Sequence, residues 1–505
     1  MNNISWLPLL LIGLPALGGL LEFAAGRGGR SGRGTGLFAV IGSALSVLAG
    51  LAAIPTLQQG LKITAPWGAL VMDTIGLAVA LLTSILGAIG LAYARRHLAA
   101  EVAAGRAEAR WLPSLFGCSA LFVAFGNWAA LTDHLIMLYV AVEATTVATA
   151  LPVAFYRRRT SWEAAYKYLL LNTVGLTVGL LGLVFLYVAA VPLLGGQALS
   201  LTALATVGAK LSPRAAALAG ALVIMGFGTK AALMPMHAWL PDAYQESPGG
   251  FSALFSGVGT KIAALAMLRV LPPLVTAAPA LGSALVAVAA VTMLVGIAIG
   301  FGQDDLRRML GYSSVSQMGY IAMAMGAGGA AGYGAAVYHM VSHGLIKALL
   351  FLCVAELYQA TGTARISELP GRQHPRWVGP IFLLAAVGLG GVPPMPAFWS
   401  KFQIFLATAQ AGHPWAAGVA VLTSLLTITT LAWAGARVFL LQSHGHGDVH
   451  DHEAAHGHSA APAVAQPFPW LLVLMVIVLF AAGLVPGWMT SFLGQAVRHM
   501  TAMGV

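Results

Sequence analysis

Apolar residues run through this chain in long blocks, separated by short clusters of charged, glycine or proline residues. A helix that crosses a bilayer needs roughly 20 apolar residues, and the blocks predict fourteen such spans. They cover about residues 4–24, 36–56, 69–94, 112–132, 134–155, 165–191, 214–240, 251–272, 280–301, 309–329, 332–358, 377–408, 416–440 and 469–490. The runs are continuous and do not alternate, which disfavours a β-barrel. The first run is longer than a signal peptide's core and is followed by no convincing cleavage site, so it reads as a retained helix. The expected fold class is therefore an all-α polytopic membrane protein.

Composition strengthens this reading. Of 505 residues, 59% are hydrophobic and only 8% charged, with mean hydropathy +0.84, whereas charged residues make up about a quarter of a soluble chain. The spans leave no room for a separate soluble catalytic domain. Cys118 and Cys353 both fall inside apolar runs and read as small core residues.

A net charge of +10 raises the question of nucleic acid until the charges are placed. With the amino terminus outside, alternate loops put Arg27, Arg30, Arg33, Arg95, Arg96, Arg106, Arg110, Arg157, Arg158, Arg159, Lys167, Arg307, Arg308, Arg365, Arg372 and Arg376 on one side. The other side receives Lys62, Lys210, Arg214 and Arg498. The basic side is assigned to the cytoplasm by the positive-inside rule, so both termini face outward, as in a bacterial or archaeal-type cytoplasmic membrane. Positive charge then has a topological cause, and no nucleic-acid partner is needed.

Six of the 26 basic residues remain within or at the edge of a span: Lys230, Lys261, Arg269, Lys347, Lys401 and Arg437. The two arginines lie close enough to helix ends to snorkel. The four lysines are costly in a bilayer, and such groups mark ion pathways or proton relays. Lysine suits a relay because burial disfavours its charged form, whereas arginine stays charged. The competing reading is a set of structural ion pairs. Glu143, in LYVAVEATTVATALP, is the acid set most deeply in an apolar stretch and the natural partner for a buried lysine.

His339, His343 and Lys347 follow one another at spacings of four in YHMVSHGLIKALLF. Each step of four turns about 400°, so the three form one slowly drifting stripe over roughly 12 Å of depth. Histidine titrates nearest neutrality and suits an intermediate carrier; with no nearby cysteine or acid, the stripe is not a complete metal site. Lys230 lies five residues before Pro235 in GFGTKAALMPMHAWLPDAY, and Lys401 five after Pro396 in GLGGVPPMPAFWSKF. Proline removes a helical hydrogen bond and frees carbonyls, and paired helix breaks point to a transport site.

These runs, with EATTVATALPVAFYRRR, SWEAAYKYLLLNTVG, SALFSGVGTKIAALAMLRV and DDLRRMLGYSSVSQMGY, resemble the antiporter-like, proton-translocating membrane subunits of respiratory complex I, group 4 membrane-bound hydrogenases and multisubunit Mrp sodium/proton antiporters. The resemblance covers roughly residues 70 to 440, and is most like the hydrogenase-4 component F type. It implies about fourteen helices, with broken helices 7 and 12, in two inverted five-helix repeats: an N-terminal three-helix segment at 1–110, repeats at 111–272 and 273–441, and a last span within 469–505. It implies that Glu143 and Lys230 form the first switch, that Lys261 connects, that His339, His343 and Lys347 relay, and that Lys401 ends the line. Asp73, His237 and Asp242 match accessory polar positions. It implies membrane-subunit partners, peripheral redox subunits carrying iron-sulfur clusters, and protons or sodium ions as cargo.

Residues 442–468 form a Gly- and Ala-rich cytoplasmic loop with His444, His446, His450, His452, His456 and His458, whose composition gives it some capacity for a transition metal. No nucleotide-binding glycine loop, quinone site or cysteine cluster is visible, so the chain itself is expected to carry no cofactor and no catalytic residue, and any redox chemistry belongs to partners. The function expected is proton translocation within a larger energy-converting complex. Its rivals are an Mrp-type sodium/proton antiporter subunit, the membrane subunit of an inorganic-carbon uptake complex, and a scaffold that conducts nothing.

Overall fold

The computed structural model describes residues 2–27, 34–440 and 470–487. The chain opens with α1 (Leu7–Arg27), α2 (Leu37–Gln58) and the long α3 (Thr74–Ala103), then α4 (Leu112–Leu131), α5 (Leu135–Val153) and α6 (Arg159–Leu194). A single turn, α7 (Leu201–Leu204), precedes α8 (Pro213–Lys230), α9 (Trp239–Glu246) and α10 (Gly249–Ala277). The second half holds α11 (Ala280–Phe301), α12 (Leu306–Ala327), α13 (Gly329–Thr361), α14 (Val378–Gly390), α15 (Pro396–Gln410) and α16 (Pro414–Phe439), followed by α17 (Trp470–Leu484). Among the described residues, ten helices are long and apolar enough to cross a membrane by length and composition. The chain is a multi-pass membrane protein.

Two expected spans, 214–240 and 377–408, are each a pair of helices. The first stops at Lys230 and resumes at Trp239, across Ala232 at φ 58° and Pro235. The second stops at Gly390, with Gly391 at φ 91°, and resumes at Pro396. Pro235, Pro393 and Pro394 supply no N–H to carry a helix through, and residues at positive φ turn the chain out of the right-handed helix.

Helix starts are secured by side chains. Asp305 accepts from the backbone N–H of Arg307 at 2.9 Å and of Arg308 at 3.2 Å at the head of α12. Glu22, buried on α1, accepts from the N–H groups of Gly36 and Phe38 at 2.9 and 2.8 Å, so a carboxylate from one helix caps the next. This acid is structural.

The helices bury their interior along α10, which is enclosed for most of its length and packs on α3, α8 and α13. Outward rows on α6 (Leu170, Val174, Leu181, Val188) and α16 (Val421, Leu422, Leu425) leave large apolar side chains exposed, a surface suited to lipid. α6 and α8 meet closely: a Cβ placed on Gly226 would fall 2.3 Å from the Gly179 Cα. Cys118 and Cys353 are buried. A small sheet joins Asn2–Ile4, parallel, to Lys62–Thr64, which pairs antiparallel with Val71–Met72. Strands this short carry no hydropathy signal, and the all-helical expectation passed over them.

Asp73 caps α3 by accepting from the Gly76 N–H at 2.7 Å, and binds the Arg269 guanidinium through both oxygens at 2.5 and 2.6 Å. Arg269 is thus ion-paired, where its sequence position suggested snorkelling. Burial alone would raise the Asp73 carboxyl, but the charge and hydrogen bonds of Arg269 hold it below the usual aspartate value. A carboxyl lowered on folding adds stability above its unfolded pKa, and that stability is lost as pH falls through the folded one. Asp73→Asn should therefore cost about 2 kcal/mol at neutral pH, read as a lowered unfolding temperature in detergent. The difference from wild type should shrink as the solution is acidified below pH ~4.

Candidate functional site

Lys230, Lys261, Lys347 and Lys401 are all buried, at 2%, 0%, 0% and 1% exposure. Their helices form a line through the molecule: α8 packs on α10, α10 on α13 and α13 on α15. At one end, Lys230 is the last residue of α8 and donates to the Thr146 hydroxyl of α5 at 2.5 Å, with its Nζ 5.8 Å from the centre of the Tyr168 ring. Lys261, mid-way along α10, reaches back to the Ser256 carbonyl at 2.5 Å. Lys347 donates to the Leu310 carbonyl at 2.5 Å and the Ser313 hydroxyl at 2.8 Å, both on α12.

Lys401 sits against the second helix break. It donates to the carbonyls of Leu389 at 2.9 Å and Gly390 at 3.2 Å, the last of α14, and to the Ser424 hydroxyl at 3.1 Å. The end of a helix presents unsatisfied carbonyls and the negative pole of its dipole, so a cation is welcome there. The Tyr320 ring lies 4.5 Å from Nζ. The break thus builds the seat of the lysine.

His339 and His343 stack on α13 with ring centres 5.9 Å apart. His339 Nδ1 lies 2.9 Å from the Ser400 hydroxyl, next in sequence to Lys401, and Nε2 3.2 Å from the Gln317 side-chain oxygen. Neither nitrogen of His343 has a partner among the described residues. The stripe read from the sequence is therefore one buried face, joined to Lys401 through Ser400. Thr146, Ser313, Gln317, Ser400 and Ser424 escaped the sequence reading, since single hydroxyls and amides within apolar runs are common.

Glu143 departs from expectation. It is only half-buried and accepts from the Thr173 hydroxyl of α6 at 2.8 Å, while its second oxygen has no partner among the described residues. No ion pair joins it to Lys230, which bonds Thr146 instead. Nor is it the most deeply set acid, for Glu22 and Glu356 are each 1% exposed. Length of apolar flank is a poor gauge of depth when a helix sits at the rim of the bundle.

The accessory positions lie apart from this line. Asp73 is taken up by Arg269. His237 is half-buried beside the first break, its Nδ1 3.2 Å from the Pro235 carbonyl. Asp242, on α9, accepts from Lys167 of α6 and Arg308 of α12, both at 2.5 Å, tying the two halves together. Arg437 lies over the Trp433 ring at 5.4 Å. The histidines at 444, 446, 450, 452, 456 and 458, with Arg30, Arg33 and Arg498, fall outside the described residues.

Residues 132–427 match the family described as NADH:quinone oxidoreductase/Mrp antiporter, transmembrane. The hydrogenase-4 component F homolog of Methylacidiphilum infernorum is 30% identical over 76% of this chain and 80% of its own. The NADH-quinone oxidoreductase subunit N of Desulforudis audaxviator is 34% identical over 72% of this chain and 71% of its own. A chain of the membrane-bound sulfane sulfur reductase, an archaeal respiratory membrane complex, shares the fold with a TM-score of 0.82 at 23% identity, covering 99% of each chain.

Proposed function

We propose, since the chain belongs to the NADH:quinone oxidoreductase/Mrp antiporter transmembrane family, that it is the proton-translocating membrane subunit of a larger energy-converting complex. One observation carries this reading: of four fully buried lysines, none forms an ion pair among the described residues. A structural lysine in a bilayer would be paired with a carboxylate. An unpaired buried ammonium carries a desolvation cost that loss of its proton removes, so each amine is suited to receiving a proton and giving it up.

In this reading Glu143 and Lys230 form the first exchange point, Lys261 the connection, His343 and His339 with Lys347 the relay, and Lys401 the terminal site. Serine and threonine hydroxyls and helix-end carbonyls accept from the lysines when they are charged, and changes of charge pass between neighbouring sites by Coulomb interaction. The chain partners other membrane subunits, and peripheral redox subunits with iron-sulfur clusters supply the energy. Both termini face outward from a cytoplasmic membrane, and the two broken helices belong to inverted repeats. The hydrogenase and oxidoreductase names of its relatives favour the redox-driven complex.

The test is cation dependence. In liposomes holding the native complex, proton flux reported by a trapped pH dye should proceed undiminished in sodium-free medium. A strict requirement for sodium would reassign the chain to sodium/proton exchange.

A further inference from the structure

A second set of buried ionisable groups lies outside this line, toward the basic loops. On α3, His97 and Glu101 are 5% and 7% exposed, and on α13 Glu356 is 1% exposed. Glu356 Oε1 accepts from the Tyr93 hydroxyl and lies 3.1 Å from His97 Nε2. Glu101 accepts from the Tyr156 hydroxyl at 2.8 Å. His97, Glu101 and Tyr156 line a cavity together with Arg307 and Ser252, with about 20 Å³ of room, enough for a water molecule. Arg307 Nε, on a lining residue, is buried with no partner among the described residues, which a cavity water would remedy. Glu356 is not part of the lining and reaches the cavity wall through His97.

The cavity approaches the lysine line on three helices. Arg307 lies one turn before Leu310, whose carbonyl holds Lys347, a rise of about 4.5 Å. The Phe351 ring lines the cavity on one side and stands 5.5 Å from Lys347 Nζ on the other. Ser252, at the cavity, is one turn from Ser256, whose carbonyl holds Lys261, about 6 Å along α10. Of the charges on the elements around the cavity, Arg307 pairs with Asp305 at 3.3 Å, Arg96 acts on Glu356, and Glu101 is held by the Tyr156 hydroxyl.

The geometry points to a proton-uptake chamber on the basic-loop side, built from His97 and Glu101 around a water, with Glu356 positioning His97 from behind, and delivering to Lys347. Hydronium formed in the cavity gives its proton to neutral His97 and becomes water, the imidazolium being held by the Glu356 carboxylate 3.1 Å away. His97 then loses that proton through the cavity water past Phe351 to neutral Lys347, which becomes the ammonium. Tyr93 stacks on the His97 ring at 4.2 Å and donates to Glu356, and together they hold that imidazole at the cavity wall. Phe351 is the apolar barrier that keeps chamber and lysine from continuous contact.

This inference rests on the proton-translocation reading, and the experiment separates the two. Native complex carrying each variant is reconstituted in liposomes, and proton flux under an imposed pH gradient is followed against the pH of the basic-loop side. Glu356→Gln should cut the rate about tenfold and flatten its dependence on that pH, while Glu356→Asp stays within about twofold of wild type. If Glu356→Gln fails to accumulate, Tyr93→Phe, which removes one hydroxyl, should shift the same pH profile. Wild-type flux and profile in whichever of these is measured, with flux lost in Lys230→Ala, would overturn the chamber alone. Wild-type flux in Lys230→Ala would overturn both.

Discussion

Lys230→Ala is expected to abolish proton translocation while the chain still folds, inserts and assembles. Lys230 ends α8 at the first break, buried, with the Thr146 hydroxyl as its one hydrogen-bond partner among the described residues. Removing it deletes the amine through which Glu143 would reach Lys261, and neither Thr146 nor the Tyr168 ring can carry a proton as a cation. The fold has little to lose. Because no carboxylate among the described residues is paired with Lys230, its removal leaves none of them a stranded buried countercharge, in contrast to breaking a buried ion pair, which costs about 3–5 kcal/mol. The freed Thr146 hydroxyl can turn to a backbone carbonyl of its own helix, as α-helical threonines commonly do. Flux falling to the leak of empty liposomes, with unchanged unfolding temperature and subunit content, is the expected result. Flux near wild type would remove Lys230 from the pathway.

Gly226→Leu is expected to have the opposite outcome, loss of the folded protein. A Cβ at Gly226 meets the Gly179 Cα and nitrogen at 2.3 Å and the Gly175 carbonyl oxygen at 2.8 Å, and all three are backbone of α6. Side chains can rotate away from an intruder, but a helix backbone must move as a unit. Small residues at such crossings let membrane helices come together, where packing is the main source of association. Forcing α6 and α8 apart displaces Lys230 at the end of α8 and opens voids along the contact, for an overpacking cost above about 3 kcal/mol. Gly226→Ala should show a smaller loss of the same kind. The amount of monodisperse protein recovered in mild detergent is the measurement, and a leucine variant recovered at wild-type level would refute the close contact.

Much of the candidate site was legible because a charge within an apolar run departs from everything around it. Lys230, Lys261, Lys347 and Lys401 stand out in this way, and the spacing of four placed His339, His343 and Lys347 on one face before any contact was known. The prolines marked both helix breaks. Glu356 was passed over for the converse reason: it lies near the end of its apolar run, where a charged residue is ordinary. His97 and Glu101 sit past the expected end of the third span at residue 94. Tyr93 and Glu356 are 263 residues apart, a separation at which local pattern carries no information about contact. Glu143 was read too deep, because apolar neighbours describe lipid as readily as protein interior.

By itself the sequence determined that this protein lives in a bilayer, where its helices run, which loops carry the positive charge, and which spans hold titratable groups. Each follows from a local quantity: transfer of a side chain out of water depends on that side chain and its near neighbours along the helix. Only the tertiary structure decided that the four lysines have no carboxylate partner among the described residues, that Lys401 rests on the carbonyls of a broken helix, that Arg269 belongs to Asp73, and that a small cavity forms where α3, α10, α12 and α13 meet. Pairing and burial depend on which helix faces lie together. In a chain whose helices are apolar on nearly every side, hydropathy leaves those faces undistinguished, and close packing at residues such as Gly179 and Gly226 chooses among them.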